Sequence, residues 1–251
     1  MNMKVGLAQI NPLWENRAAT KAHILTLLEK NITPASVDWL IFPEMTLSGF
    51  SMNQEATTLD DSDVSFFRQL AQDYQTIISY GGVVNGKNGC FTVNANKEQV
   101  SRYEKTHLFS YATEDQYYTP GDKLTTFSLN EFQITPTICY DLRFANLFWQ
   151  TGPQTDIFVV MANWPASRLA QWQILLKARA IENQCFVIGV NRVGADPNVT
   201  YAGGSGVFAP TGETLLEPAP KEGIFAVELS KQLVLETRSH FPFLKDRRVD
   251  L

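Results

Sequence analysis

The sequence predicts an α/β fold with a mixed sheet or sheets. Short apolar runs rich in Ile, Val and Thr alternate with amphipathic segments in both halves of the chain, as strands alternate with covering helices. Turn signals such as Asn85-Gly86 and Pro210-Thr211-Gly212 separate some neighbouring runs. Hairpins are therefore interspersed with crossovers. No linker, low-complexity stretch or short-period repeat interrupts the 251 residues, so a single domain over 1–251 is expected.

Residues 3–10 are apolar enough for a buried strand, which Asn11-Pro12 stops. Over 16–30, Ile24, Leu27 and Leu28 recur at helical spacing. Residues 39–42 form a second strand, ended by Pro43, which leaves Glu44 just past a strand end. A loop over 46–59 precedes an amphipathic helix over 64–74 and a strand over 76–84. Residues 85–89 read as a hairpin turn into a strand over 90–95, and Asn96-Lys97 as another turn into 99–103. Residues 105–123 are long and irregular, with Pro120-Gly121 inside. Long loops in compact domains tend to be functional. Strands follow over 124–129, 132–138 and 156–161. Residues 168–183 make the strongest helix, with Leu169, Trp172, Leu176 and Ala180 on one face and no proline. Strands over 185–190, 205–209, 213–216 and 224–227, a short helix over 229–238 and an extended tail complete the chain.

Composition excludes several roles. The net charge is −5 and no basic block stands out, which argues against nucleic acid or anionic membrane as a partner. The start lacks the apolar core of a signal peptide, and no apolar run is long enough to span a bilayer. Cys90, Cys139 and Cys185 are an odd count at wide spacing, which suits a reducing compartment rather than a disulfide framework. A cytoplasmic protein is expected. His23, His107 and His240 show no metal-ligand spacing, and neither a GxSxG elbow nor a phosphate-binding glycine loop is present.

Three segments each deliver an ionisable residue near a strand end or into an irregular loop: Glu44, Lys105 and Cys139. Taken singly, each has a structural explanation, as a turn cap, a solvated cation and a small buried hydrophobe. Together they make a complete nucleophilic site. A carboxylate takes the thiol proton, and an ammonium stabilises both the thiolate and the oxyanion formed on attack at a carbonyl.

Phe42-Pro43-Glu44-Met45, Glu104-Lys105-Thr106-His107-Leu108-Phe109 and Ile138-Cys139-Tyr140-Asp141-Leu142-Arg143-Phe144 resemble the three signature motifs of the nitrilase superfamily of carbon–nitrogen hydrolases. Their order and separation fit, and Val5-Gly6-Leu7-Ala8-Gln9 and Ala178-Arg179-Ala180-Ile181-Glu182-Asn183 extend the resemblance over nearly the whole chain. The chain departs from many members at Ala145-Asn146, where Pro-Glu is common, and at Ser110, where Asp is common. The resemblance implies a four-layer α-β-β-α sandwich of the nitrilase type. It implies Cys139 as nucleophile, Glu44 as general base, Lys105 as oxyanion stabiliser, and Glu114 as the second glutamate that positions Lys105 or the substrate. It also implies the Tyr140 backbone N–H as a second oxyanion donor, a homodimer with the 168–183 helix as a candidate face, and no cofactor or metal.

The run Met161-Ala162-Asn163-Trp164-Pro165 with Arg168 looks most like the bacterial ω-amidase branch. This implies release of ammonia from the terminal amide of 2-oxoglutaramate or 2-oxosuccinamate, with Arg143 as a cation for the remote carboxylate and Trp164 as a wall. Arg143 is equally readable as a structural partner of Asp141. The alternatives are another small-molecule amidase, or a carbamoylase, on the same three residues, or a non-catalytic binding module on this fold.

Overall fold

The computed structural model describes residues 2–248. In chain order the first half contains β1 (Asn2–Gln9), α1 (Arg17–Asn31), β2 (Trp39–Ile41), α2 (Gln54–Thr57), α3 (Asp61–Asp73), β3 (Ile77–Val84), β4 (Lys87–Val93), β5 (Gln99–Glu104) and α4 (Glu114–Tyr117). The second half contains β6 (Phe127–Leu129), β7 (Phe132–Ile138), α5 (Ala145–Thr151), β8 (Ile157–Ala162), α6 (Leu169–Asn183) and β9 (Phe186–Asn191). It continues through β10 (Val193–Ala195), β11 (Thr200–Ala202), β12 (Gly206–Phe208), β13 (Thr214–Leu216), β14 (Gly223–Ser230) and α7 (Lys231–His240).

Two six-stranded mixed sheets pack face to face. Their orders are β14-β1-β2-β3-β4-β5 and β13-β12-β9-β8-β7-β6. Helices α1 and α3 lie on the outer face of the first sheet and α6 on that of the second. The result is the four-layer α-β-β-α sandwich. The strands that read as continuous apolar runs are buried on both faces. In β8, Ile157, Val159 and Met161 enter the core between the sheets, while Phe158, Val160 and Ala162 pack toward α5 and α6. This is the period-two alternation of a sheet with no solvent face. On the other side Phe67 of α3 stacks on Tyr80 of β3 at 3.8 Å.

The parallel pairings β1–β2–β3 and β7–β8–β9 fix where the chemistry sits. Glu44 follows the C-terminal end of β2, Cys139 that of β7 and Asn163 that of β8. Ile138 lies opposite Met161, so Trp164 follows the strand that neighbours Cys139, as the sequence suggests. Among the described residues no helix is long and apolar enough to cross a membrane.

Several boundaries differ from expectation, each for a local reason. Helix α3 starts three residues earlier than its apolar pattern, because Asp60 and Asp63 form a reciprocal cap. The 85–89 turn is only Asn85-Gly86, with φ of 54° and 71°. Both residues suit the left-handed turn that matches strand twist, so β4 resumes at Lys87 and Asn88 lies within it. Residues 46–59 contain α2, α5 was unexpected, and β10–β11 form a separate two-stranded hairpin. Leu229 and Ser230 end β14, which pairs along the whole of β1, rather than opening α7. Trp172 and Leu176 are fully buried on their own sheet, so they are not the exposed face of α6.

Candidate active site

The Glu44 turn lies flat on β3. A Cβ added at Gly81 would meet the Met45 nitrogen at 2.5 Å and the Glu44 Cα at 2.8 Å. Only glycine lets the turn approach so closely. The Thr46 N–H donates to the Gly81 carbonyl at 3.0 Å, and the Gly81 N–H donates to Thr46 Oγ1 at 2.9 Å. Glu44 is thereby delivered to Lys105 and Asn163, both of which line a cavity of about 670 Å³, a volume suited to a small molecule.

Lys105 follows the last residue of β5, and its N–H donates to the Asn88 carbonyl at 2.8 Å. Its side chain is fully buried between two carboxylates. Nζ donates to Glu44 Oε1 at 2.9 Å and to Glu114 Oε2 and Oε1 at 2.8 and 3.1 Å. Burial pulls the Lys105 pKa down, but Glu114 and Glu44 outweigh it and hold the ammonium above its ordinary value. Glu114 opens α4, is itself fully buried, and accepts the Phe109 N–H at 2.6 Å. Asn88 Nδ2 bridges the two carboxylates, donating to Glu44 Oε1 at 2.8 Å and Glu114 Oε1 at 2.9 Å. Glu44 Oε2 accepts the Asn163 N–H at 3.0 Å, and Asn163 Nδ2 returns a bond to the Glu44 carbonyl at 2.7 Å.

Cys139 sits where β7 breaks into a tight 3₁₀ turn, Cys139–Arg143, with φ of 46°. A left-handed non-glycine residue costs about 1–3 kcal/mol and persists only where its surroundings over-determine it. Asp141 supplies the constraint. Its buried carboxylate accepts the Ile138 N–H at 2.9 Å and the Tyr103 hydroxyl at 2.8 Å on one oxygen. The other oxygen accepts the Thr106 hydroxyl at 3.0 Å and the His107 N–H at 2.9 Å, with His107 Nδ1 also at 2.9 Å. One side chain thus ties the Cys139 turn to the segment that carries Lys105. His107 stacks on Phe144 at 3.8 Å, which makes it part of this support. Burial holds the Cys139 thiol well above its ordinary range, Glu44 adds to the effect, and Lys105 offsets it in part. The thiol therefore rests neutral and needs a base to ionise. Cys139 is only half-buried and lines the cavity, whereas Cys90 and Cys185 are buried outside its lining.

The structure brings Glu44 and Glu114 into direct contact with Lys105, and Lys105 and Cys139 line the same cavity. Tyr140, Arg143 and Trp164 line it too. Arg143 does not pair with Asp141, whose oxygens are occupied as above. Instead its Nη2 donates to Gln171 Oε1 at 2.7 Å and its guanidinium lies over the Trp164 ring at 4.9 Å. The sequence assigns no site role to Asn88, nor to Asn163 and Arg168, which enter it only within the ω-amidase-like run. Asn88 was hidden inside an expected turn. Asn163 stands one residue past β8 as Glu44 stands past β2, a signal of position that was available. Among the described residues no group of three or more His, Cys, Asp or Glu side chains is placed to hold a metal ion.

Residues 4–239 match the carbon–nitrogen hydrolase family. The chain belongs to that family. This hydrolase is 35% identical to a Staphylococcus aureus protein named hydrolase in agr operon, covering 99% of each chain. It is 35% identical to omega-amidase YafV of Escherichia coli K12, covering 97% of this chain and 96% of the relative. Its identity to the 2-oxoglutaramate amidase of Bacillus subtilis is 32%, covering 85% and 86%. Among solved structures, XC1258 of Xanthomonas campestris, a CN-hydrolase superfamily protein, superposes with a TM-score of 0.92 at 29% identity over 100% of this chain and 99% of that one. Nit3 of Saccharomyces cerevisiae, a nitrilase-superfamily member, shares the fold with a TM-score of 0.85 at 21% identity, covering 98% and 97%. The nitrilase-type sandwich and the likeness to bacterial ω-amidases both hold.

Proposed function

We propose that this hydrolase releases ammonia from the terminal amide of small 2-oxo-acid ω-amides, 2-oxoglutaramate and 2-oxosuccinamate, through a thioester on Cys139. The observation that carries the reading is the buried Glu44–Lys105–Glu114 cluster, whose Lys105 lines the same cavity as Cys139. Cys139 Sγ attacks the amide carbon while Glu44 takes its proton. The neutral resting thiol makes that base necessary. Lys105 Nζ and the Tyr140 backbone N–H receive the charge that develops on the carbonyl oxygen. Glu44 returns the proton to the leaving nitrogen, and ammonia departs. Water then attacks the thioester with Glu44 again as base, giving the carboxylic acid and the free thiol. Each step moves one proton through one carboxylate, and the covalent intermediate divides a difficult hydrolysis into two easier steps.

Glu114 acts through Lys105, which it holds between two carboxylates and keeps charged. The substrate assignment is supported by the relatives named omega-amidase and 2-oxoglutaramate amidase, and by two cavity guanidiniums, Arg143 and Arg168, that pair with no carboxylate among the described residues. Arg143 faces the remote carboxylate and Trp164 limits chain length. Ammonia release from 2-oxoglutaramate, glutamine, butyramide and a carbamoyl amine, compared as kcat/KM on one preparation, tests it. Preference for butyramide or the carbamoyl amine would remove the ω-amide assignment and leave a cysteine-dependent amidase.

A further inference from the structure

We propose that Arg168, which neither the motifs nor the relatives' names assign, is the principal cation of an anion subsite shared with Arg143. This subsite takes the carboxylate remote from the scissile amide and selects amides that carry no ammonium. The inference rests on the proposed amide hydrolysis and adds a binding determinant to it.

The charges in the cavity point to this subsite. Its lining contains three cations, Lys105, Arg143 and Arg168, and two acids, Glu15 and Asp196. Lys105 is held by Glu44 and Glu114. Both acids are engaged by the protein. Glu15 accepts the Ser51 hydroxyl and Asn53 Nδ2. Asp196 accepts the N–H groups of Asn198 and Val199 at 2.8 and 2.7 Å and the Tyr201 hydroxyl at 2.6 Å. The two arginines are different. Among the described residues neither pairs with a carboxylate, although the chain carries a net charge of −5. Arg143 donates only to the neutral Gln171 amide. The Arg168 guanidinium makes no hydrogen bond within the described residues and rests over the Phe109 ring at 5.6 Å.

Its backbone is nevertheless fixed. Arg168 closes the short 3₁₀ turn Ala166–Arg168 that leads into α6, and its carbonyl accepts the Trp164 indole N–H at 2.9 Å. The same indole carries Arg143 on its face. Two half-buried guanidiniums are thus held by aromatic rings, Arg143 with one donor on Gln171 and Arg168 with none engaged among the described residues. That fork geometry matches a carboxylate in a bidentate pair. An amino acid amide such as glutamine brings an ammonium as well. Its ammonium would be repelled by the two guanidiniums, and the acids of the cavity already accept two hydrogen bonds at Glu15 and three at Asp196. A 2-oxo acid needs only the cations.

The test uses the whole protein and two readouts. Glutarate carries carboxylates but no scissile bond, so it competes with iodoacetamide for the cavity without turning over. It should slow alkylation of Cys139 in the unmodified protein more than the neutral pentane-1,5-diol does, and added salt should weaken that difference. Arg168→Met keeps the stem over Phe109 but removes charge and donors. It should raise the glutarate concentration for half-protection on the order of 10–100-fold, with Arg168→Lys intermediate. The kcat/KM ratio of 2-oxoglutaramate to butyramide should fall by a similar factor. Equal protection of both proteins, or no preference for glutarate over the diol in the unmodified protein, overturns the subsite. Protection as expected, with butyramide hydrolysed best, keeps the subsite and removes the substrate assignment instead.

Discussion

Replacing Lys105 with Met removes one positive charge from the floor of the cavity and nearly preserves side-chain length. In the native protein the ammonium lies between Glu44 and Glu114, within 2.9 and 2.8 Å of an oxygen of each. Without it, two buried carboxylates are left with neutral donors only, the shared Asn88 Nδ2, the Asn163 N–H on Glu44 and the Phe109 N–H on Glu114. Removing one partner of a buried ion pair typically costs about 3–5 kcal/mol. At about 2–4 °C per kcal/mol for a chain this size, Tm should fall by roughly 6–20 °C. Loss of an oxyanion donor should independently lower kcat on the order of 10²–10³-fold. The double variant Lys105→Met with Glu114→Gln separates the two effects. It restores the net charge of the cluster, so part of the lost Tm should return while kcat stays low. Calorimetry and an ammonia-coupled assay measure both. Near-normal kcat in Lys105→Met would refute the oxyanion role. Recovery of kcat together with Tm in the double variant would show that charge balance, and not catalysis, was what the lysine supplied.

Three further outcomes are expected. Iodoacetamide should label Cys139 faster than the buried Cys90 and Cys185, and Glu44→Gln should slow that labelling; equal rates at all three thiols would contradict an accessible, base-assisted thiol. Burial pushes Cys90 and Cys185 up to about 12, against about 8.5 in an unfolded chain. Between those values the unfolded chain sheds protons that the folded protein keeps, so stability falls as pH rises through that window. The variant Cys90→Ala with Cys185→Ala should fall less steeply, by up to about 1.4 kcal/mol per pH unit for each thiol, and parallel denaturation curves would contradict the assignment. A homodimer remains our reading, with Ile174 and Ile181, 67% and 45% exposed on α6, in place of Trp172 and Leu176. Light scattering should show a dimer that Ile174→Lys weakens, and a monomer alone at micromolar concentration would contradict it.

The main layers of this fold were legible because burial on both faces leaves a strong signature. Strands such as β7, β8 and β9 are continuous apolar runs, and α6 is a long periodic segment without proline. The proposed site residues Glu44, Lys105 and Cys139 could be picked out as candidates for a different reason, since each stands at or just beyond a strand end inside a recognisable local motif. What escaped were residues whose work depends on partners distant in sequence. Asn88 looks like part of a glycine-rich turn until β4 is paired with β5 and brought beside Glu44. Asp141 and Arg143 look like a local ion pair, yet Asp141 reaches back across 34 residues to His107, and Arg143 turns to Gln171 and Trp164. The Arg168 guanidinium has no hydrogen-bonding partner among the described residues to betray it, and its meaning comes only from the cavity it faces.

Covalent catalysis by Cys139 is tested most directly by trapping the acyl-enzyme. The protein is mixed with 2-oxoglutaramate, quenched in acid within a turnover, digested and mapped by mass spectrometry. The expected result is an acyl group on the peptide bearing Cys139, absent from the peptides of Cys90 and Cys185, with no turnover in Cys139→Ala. Ammonia release by a folded Cys139→Ala variant, or an acyl group on another residue, would contradict it.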